Sequence, residues 1–249
     1  MGQPDFGWIF EIGGALAFVG FGAYYLRKTI RTRELSLGAL IFVACLTMAW
    51  QEFYADWGAY LLYNPEFKLL PWGATKWTSP NKPWAVLAGY GWFYSVLFPA
   101  MLWVLARLRA ARPRWSRTTT VAVVAVPVLY AWNFVSADGV ATRFGWWTYA
   151  DTVGPVLTSS KGSFPLLYPL ALFVLFAVVA LWFIDRRDDH GRPTFERMTR
   201  AHDAEPGWPR DLRRLGAWIV TMNGLYLITL TGPLVVLREL FGDPSSLVP

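Results

Sequence analysis

Apolar segments of about 20 residues recur along most of the chain, separated by shorter polar segments. A helix of that length rises about 30 Å, which matches the hydrocarbon core of a bilayer. The pattern therefore predicts an all-α polytopic membrane protein, with residues 1–249 forming a single integral membrane domain. The six predicted transmembrane helices are Trp8–Leu26, Leu35–Leu62, Trp84–Ala106, Thr118–Ala137, Phe164–Ile184 and Leu212–Leu237.

Positive charge is distributed unequally between the polar segments. Of the 23 Lys and Arg residues, 17 lie on one side of the predicted bundle and 6 on the other. Because Lys and Arg accumulate in cytoplasmic loops, this bias predicts that both termini lie outside, in a multi-pass protein of the cell membrane. The same bias accounts for the net charge of +6, so we expect no nucleic-acid partner.

The two long segments predicted to lie outside are aromatic and rich in Gly and Pro, which is unlike a linker. Only 16% of the residues are charged, against about 25% in soluble domains. The many Trp and Tyr residues are typical of an interfacial belt, or they fold over the bundle as a lid. Both hold at once where belt residues line the mouth of a pocket. The two segments read YNPEFKLLPWGATKWTSPNKPW and ADGVATRFGWWTYADTVGPVLTSSKGSFP.

Carboxylates and amides interrupt the apolar segments close to their predicted outer ends. Glu52 and Asp56 are four residues apart, so they share one face of a helix. Because ionisable groups are costly inside a membrane, each one is a candidate functional group. The other polar residues near this depth are Glu11, Gln51, Asn133, Asp138 and Asp151.

These polar groups also have ordinary structural explanations. Glu11 is close enough to the interface to be solvated, and Asp138 is typical of a helix cap or turn. Glu52 would then make one buried hydrogen bond. Asn133 and Asn223 would join helices, as amides commonly do in membrane bundles.

A cavity lined with carboxylates and aromatic rings would support acid/base chemistry. One carboxylic acid donates a proton and a second carboxylate accepts one. Aromatic faces suit an apolar substrate and stabilise a developing cation. We therefore predict acid-catalysed rearrangement, cyclisation or dehydration of a lipophilic molecule. The chain has no nucleotide-binding glycine loop and no GxSxG elbow, and His190 and His202 lie outside the predicted spans, so we expect no cofactor and no metal.

Four segments together resemble the AveC-type spirocyclase family of integral membrane proteins. The first has a Gln-acid pair, aromatic residues and Tyr-Asn, and the second is a Gly/Trp/Pro loop. The third is a Trp-Thr-Tyr loop before a Pro-bounded helix, and the fourth is a hydrophilic loop before the last helix. They read WQEFYADWGAYLLYNPEF, PWGATKWTSPNKPW, WWTYADTVGPVLTSSKGSFPLLYPLALF, and FIDRRDDHGRPTFERMTRA with LRRLGAWIVTMNGLYLI.

The resemblance implies membrane-bound cyclisation or dehydration of a hydroxy-ketone-type, polyketide-like substrate without a redox cofactor. Residues that match the family pattern are Gln51, Glu52, Tyr63 and Asn64, and then Trp147, Thr148 and Tyr149. The family pattern has Asp-Pro where this chain has Glu52 and Phe53.

We assign roles to these candidates as hypotheses. Glu52 is the catalytic acid, and Asp56 is the base or orienting partner. Asn64 and Asn133 hydrogen-bond substrate oxygens. The remaining candidates for substrate binding, several of them forming the cavity wall, are Glu11, Gln51, Trp57, Tyr63, Asp138, Trp146, Trp147, Tyr149 and Asp151.

Two other functions are compatible with the sequence. Small membrane terpene cyclases also use a carboxylate pair in an aromatic bundle, and a co-purified isoprenoid would identify that class. A lipid-binding or accessory protein would instead hold an envelope protein through its aromatic loops. Expected partners are a lipophilic small molecule and membrane lipids, with an envelope protein as the alternative.

Overall fold

The structure, a computed structural model, describes residues 2–71, 75–136, 138–152, 154–168, 173–243 and 245–248. Most described residues are helical. The helices are α1 (Ile9–Thr32), α2 (Leu37–Gly58), α3 (Trp84–Ala111), α4 (Arg117–Arg143, described on both sides of position 137), α5 (Leu175–Asp185) and α6 (Trp208–Phe241). Short 3₁₀ helices cover Thr194–Thr199 and Ala201–Asp203, and the strands are β1 (Leu61–Tyr63), β2 (Trp147–Tyr149), β3 (Val156–Thr158) and β4 (Ser163–Pro165).

Five of these helices, α1, α2, α3, α4 and α6, are long and apolar enough to cross a membrane, which indicates a membrane protein. They correspond to five of the predicted spans. Two predicted boundaries are wrong, because the end of Leu35–Leu62 enters β1 and the start of Phe164–Ile184 lies in β4. Residues 169–172 lie outside the described residues, and α5 begins only at Leu175. Six spans with both termini outside therefore stays a prediction.

Helix α2 is interrupted at the level of its polar residues. Its first part ends at Leu46, a 3₁₀ turn covers Ala49–Gln51, and a new α-helical segment begins at Glu52. Asn223 of α6 holds this break, because its side-chain nitrogen donates to Thr47 Oγ1 at 2.8 Å. The amide of Gln51 donates to the Asn223 side-chain oxygen at 3.2 Å. Asn223 thus joins two helices, and the break sets the direction of Glu52.

Prolines alter α3 and α6 close to this level. Pro99 lies inside α3 and has no N–H for the carbonyl of Ser95. That carbonyl accepts instead the hydroxyl of Tyr25 from α1, at 3.2 Å. In α6 a π-helical stretch, Leu227–Thr231, precedes Pro233 and follows Tyr226 directly. Both irregularities carry polar or aromatic side chains that face the bundle interior.

Two small antiparallel sheets follow the ends of the helices. In the first, β1 pairs with β2, with Leu61 opposite Tyr149 and Tyr63 opposite Trp147. In the second, β3 pairs with β4. The first sheet therefore joins the two aromatic loops to each other, while residues 72–74 and 153 of these loops lie outside the described residues. Whether the loops form a lid stays a prediction.

Charged groups fasten the hydrophilic segment between α5 and α6 to the helices. Buried Glu196 accepts from Arg214 Nε at 3.0 Å and from Trp218 Nε1 at 2.8 Å. Asp185 at the end of α5 forms a two-pronged ion pair with Arg109 of α3. Ion pairs thus hold this end of the bundle, and the β1–β2 sheet contributes to the opposite end.

We expect Asn223→Leu to destabilise the protein by about 1–3 kcal/mol, because Thr47, Trp50 and Gln51 each lose a hydrogen bond to its side chain. Thermal unfolding in detergent micelles measures the loss. Thr229→Val is the matched control, since that hydroxyl donates to the Leu225 carbonyl of its own helix. Equal effects of the two substitutions would contradict the role of Asn223.

Candidate active site

A cavity of about 580 Å³ lies between α1, α2, α3, α4 and α6, under the β1–β2 sheet. Its wall is mostly aromatic and aliphatic. The carboxylates in the wall belong to Glu52, Asp56 and Asp138, and Asn133 contributes an amide. Rings and alkyl groups that line it include Phe10, Trp92, Phe93, Tyr94, Trp132, Trp146, Phe173, Leu230 and Leu234.

Three tyrosine hydroxyls surround the carboxylate of Glu52. Tyr63 donates to Oε1 at 3.1 Å, Tyr90 donates to Oε2, and the Tyr226 hydroxyl lies 3.4 Å from the same oxygen. The hydroxyls of Tyr90 and Tyr226 also contact each other. Burial, helped by the Glu52 carboxylate, raises the pKa of Tyr63 well above its usual value, so this phenol stays protonated. We call these three residues the tyrosine cage.

The carboxylate of Asp138 has a different set of donors. Asn133 Nδ2 donates to Oδ2 at 2.8 Å, while Trp147 Nε1 and the Tyr149 hydroxyl donate to Oδ1 at 3.1 and 3.3 Å. Asp138 is the first residue of a helical segment of α4, and its carboxylate binds these side chains. Burial, followed by the Asp138 charge, raises the pKa of Tyr149 well above its usual value. Its phenol therefore remains a donor.

The β1–β2 sheet connects the two carboxylates. Side chains alternate between the faces of a strand, so Leu61, Tyr63, Trp147 and Tyr149 share one face, and all four line the cavity. The rings of Tyr63 and Trp147 meet edge to face with centroids 5.5 Å apart. Tyr63 donates a hydrogen bond to Glu52 and Trp147 donates one to Asp138, so one aromatic pair contacts both carboxylates.

Asp56 forms an ion pair with Lys82, which comes from the segment before α3. Both side chains are buried. The Lys82 amine also lies 4.8 Å from the centre of the Tyr63 ring and 3.4 Å from the Glu52 carbonyl. Burial lowers the pKa of Lys82 to about 7, and the Glu52 charge acts in the opposite direction. Asp56 is thus engaged with a cation, whereas the donors to the Glu52 and Asp138 carboxylates described above are neutral groups.

The groups that hydrogen-bond to Glu52 and Asp138 differ in whether they can also accept a hydrogen bond. A hydroxyl donates or accepts by rotating, so the tyrosine cage suits both the acid and the carboxylate form of Glu52. The amide nitrogen of Asn133 and the indole N–H of Trp147 only donate, so they pair with an ionised Asp138. The cavity can therefore hold one proton-donating and one proton-accepting carboxyl group.

Some predicted site residues are structural neighbours of the cavity and do not line it. Gln51 is fully buried and bonds to Asn223. Asn64 is also buried, and its amide donates to the carbonyls of Gly2 at 2.9 Å and Gly145 at 2.7 Å. These two amides fix the α2 break and the loops around β1.

Three further predicted residues also lie outside the cavity lining. The Trp57 ring packs on the guanidinium of Arg238, 3.9 Å from the ring centre. The Glu11 carboxylate accepts a hydrogen bond from the backbone N–H of Lys68 at 2.6 Å. The Asp151 carboxylate accepts one from the backbone N–H of Thr152 at 2.7 Å. The structure thus brings together Glu52, Asp56, Tyr63, Asn133, Asp138, Trp146, Trp147 and Tyr149.

Sequence reasoning missed Tyr90, Tyr226 and Lys82. Tyrosines are common at membrane interfaces, so the sequence does not distinguish Tyr90 and Tyr226, which face Glu52, from interfacial tyrosines. A usable signal was available for Tyr90, because Tyr90 and Tyr94 are four apart and share a helix face inside a span. Lys82 had no local signal, since its partner Asp56 lies on another element.

No cluster of three or more His, Cys, Asp or Glu side chains suited to a metal ion occurs in the part of the chain that the structure describes. The absence of a metal stays a prediction.

The Asp56–Lys82 pair yields a stability test. At pH 6, where Lys82 with its pKa of about 7 is protonated, Lys82→Met leaves a buried carboxylate without its cation and should cost about 3–5 kcal/mol. Asp56→Asn should cost more at pH 6 than at pH 8, because the buried Lys82 amine is charged at the lower pH and mostly neutral at the higher one. The double variant Asp56→Leu/Lys82→Met should recover most of the loss. Unfolding in detergent measures all three, and additive losses would contradict the pair.

Comparison with known proteins identifies the family. A protein-family model described as "Spirocyclase AveC-like" matches residues 32–249, which cover α2 to α6 and both small sheets. No curated protein and no solved structure matches the chain. The family suggests a cyclase of secondary metabolism, in agreement with the resemblance of the four segments. The chain belongs to the AveC-like spirocyclase family.

Proposed function

We propose that the protein is a membrane-embedded cyclase that closes rings on a lipophilic hydroxy-ketone by acid/base chemistry, without a redox cofactor. The observation that carries the proposal is a single apolar cavity holding two carboxyl groups with neutral hydrogen-bond donors. Ketal formation requires a proton donor, a proton acceptor and a wall that orients the chain, and the cavity offers these three features.

Glu52 is the proposed acid and Asp138 the proposed base. The hydroxyls of the tyrosine cage accommodate Glu52 with or without its proton, so it can lose and regain one without a rearrangement. The N–H donors on Asp138 favour its ionised form as the reaction begins. The roles depend on neighbouring side chains rather than on the type of carboxyl group.

The proposed reaction closes two rings and releases one water. A substrate hydroxyl attacks the carbonyl carbon, Asp138 takes the hydroxyl proton, and Glu52 gives its proton to the carbonyl oxygen. The resulting hemiketal hydroxyl leaves as water with the proton now held by Asp138. A second hydroxyl then attacks the same carbon and returns a proton to Glu52. Both carboxyl groups thereby regain their starting states, and no electrons are transferred.

Asp56 receives a different role from the one the sequence suggested. An aspartate paired with Lys82 is a weaker base than one without a cation, since the ammonium stabilises its charged form. We therefore propose that Asp56 and Lys82 position the Glu52 segment against the loop before α3. Asn133 and Trp147 orient Asp138.

The apolar wall favours a lipid-soluble substrate. Aromatic faces such as those of Trp146, Phe93 and Tyr94 stabilise the oxocarbenium character that develops when water leaves. They also exclude bulk water, which would compete with the second hydroxyl. The substrate would thus be largely hydrocarbon, with oxygen atoms near the two carboxyl groups.

Replacement of either carboxyl group should trap the substrate. We expect Glu52→Gln and Asp138→Asn each to lower kcat by about 10²–10⁴-fold, because each removes one proton-transfer group. Mass spectrometry of lipids bound to the natively purified variants should reveal a species one water heavier than the species on the wild type. That species, given to the wild-type protein, should lose the water.

Glu11→Gln is the control, since Glu11 binds a loop amide outside the cavity and should leave turnover unchanged. Full activity of both carboxyl variants on the captured species would refute the assignment. Identical phospholipids on the wild type and on the variants would instead favour an accessory role.

The support of Asp138 by Trp147 is tested with two adjacent tryptophans. Trp147→Phe keeps a ring beside Tyr63 but removes the N–H to Asp138, so kcat should fall about 10-fold or more. Trp146→Phe is the matched control, because its indole N–H binds the Asp5 carbonyl at 2.7 Å. Steady-state kinetics on the captured species compares them, and equal losses would argue against a specific effect on Asp138.

A further inference from the structure

One face of α3 runs from the cavity to the surface of the bundle. Gly89, Val96 and Trp103 are spaced by seven residues, which places them close to one line along a helix. Gly89 lines the cavity, whereas Val96 and Trp103 are 41% and 61% exposed. Because α3 is a candidate membrane span, this exposed face would meet lipid. This face of α3 therefore passes from the cavity wall to a surface that would meet lipid.

The flanks of this face lie on α1 and α4. Ile9 of α1 and Trp132 of α4 both line the cavity and are 44% and 45% exposed, so they mark its open edge. On one side α1 crosses α3 closely, with Gly14 next to Ala85. On the other side Trp132 meets Phe93 of α3, with ring centroids 6.5 Å apart. The opening lies over α3, between these two helices.

The end of the cavity under the β1–β2 sheet is closed by comparison. Tyr63 and Tyr149 are buried there. The Asn81 side-chain oxygen accepts a hydrogen bond from the backbone N–H of Tyr63 at 3.2 Å. This bond joins the loop before α3 to the sheet. The indole of Trp146 binds the carbonyl of Asp5, which lays the N-terminal segment over the same end. Access from water through this end would require several of these contacts to break.

Gly89 lies in the cavity wall beside this opening. Among the described residues, a Cβ atom built at Gly89 meets no atom within 4 Å, so a side chain there would project into free space inside the cavity. A glycine in the middle of a helix lowers helix stability relative to other residues. The backbone of α3 at this point is thus exposed to whatever occupies the cavity.

We propose that this opening admits the ligand sideways from the hydrocarbon layer, and that Gly89 is a specificity-determining residue. An elongated apolar molecule would lie across the α3 backbone at Gly89, with its oxygen-bearing part reaching the tyrosine cage. The inference deepens the proposed cyclase function and rests on it for the identity of the natural ligand. The access route itself is tested without turnover.

The probe is a long-chain fatty alcohol that carries a photoreactive diazirine, reconstituted with the protein in lipid nanodiscs. Illumination attaches it to nearby residues, and peptide mass spectrometry measures the adducts on the segment containing Glu52. We expect Gly89→Leu to lower this labelling about 10-fold, because the leucine occupies the opening. Gly89→Ala should lower it less. Neither variant should lower the Tm, since both improve helix propensity.

Gly20→Leu is the matched control. Gly20 is also a helical glycine with no atom within 4 Å of a built Cβ, but it lies on the exposed side of α1 away from the cavity. Its substitution should leave the labelling unchanged. Lateral access would be overturned if Gly89→Leu left the labelling of the Glu52 segment unchanged. It would also be overturned if a charged, water-soluble diazirine labelled that segment as strongly as the fatty alcohol. If Glu52→Gln kept full activity, the cyclase proposal would fail, but the labelling result for the access route would still stand.

Discussion

A carboxylate that lies within an apolar bundle must obtain most of its hydrogen bonds from the protein, because the hydrocarbon around the bundle supplies none. This constraint organises the chain around Glu52. Its donors come from β1, α3 and α6, so three separate elements must be placed correctly before the group is satisfied. At the cavity end of the bundle, the packing of β1, α3 and α6 places the three tyrosine hydroxyls around Glu52.

The helices depart from regular geometry where that delivery requires it. The break in α2 turns Glu52 into the cavity, and the π-helical stretch of α6 begins one residue after Tyr226. Other helices bind the chain at such places. The side-chain amides of Gln51 in α2 and Asn223 in α6 bond across the break in α2, and Tyr25 of α1 donates to the Ser95 carbonyl that Pro99 leaves without a backbone N–H in α3. Local irregularity and interhelical contact therefore occur together.

Much of the helical framework could be predicted from the sequence, because hydrophobic length is a local property. The concentration of carboxylates and aromatic rings near one depth was also visible, and Glu52, Asp138, Trp147 and Tyr149 do line one cavity. Long-range partners were not visible. LLY and WTY are three-residue strands, too short for any periodicity, and their register depends on the loops between them. Asp56 was expected to act beside Glu52, yet its environment is set by Lys82 from a distant segment.

The shared sheet has a consequence for how the site is assembled. Because side chains alternate along a strand, a shift of the β1–β2 register by one residue would turn Tyr63 away from Glu52, or Trp147 and Tyr149 away from Asp138. The edge-to-face contact between Tyr63 and Trp147 would be lost in the same event. The hydrogen-bond partners of Glu52 and Asp138 are thus put in place together. A chain with only one of the two carboxylates supported would be a rare species during biogenesis in the membrane.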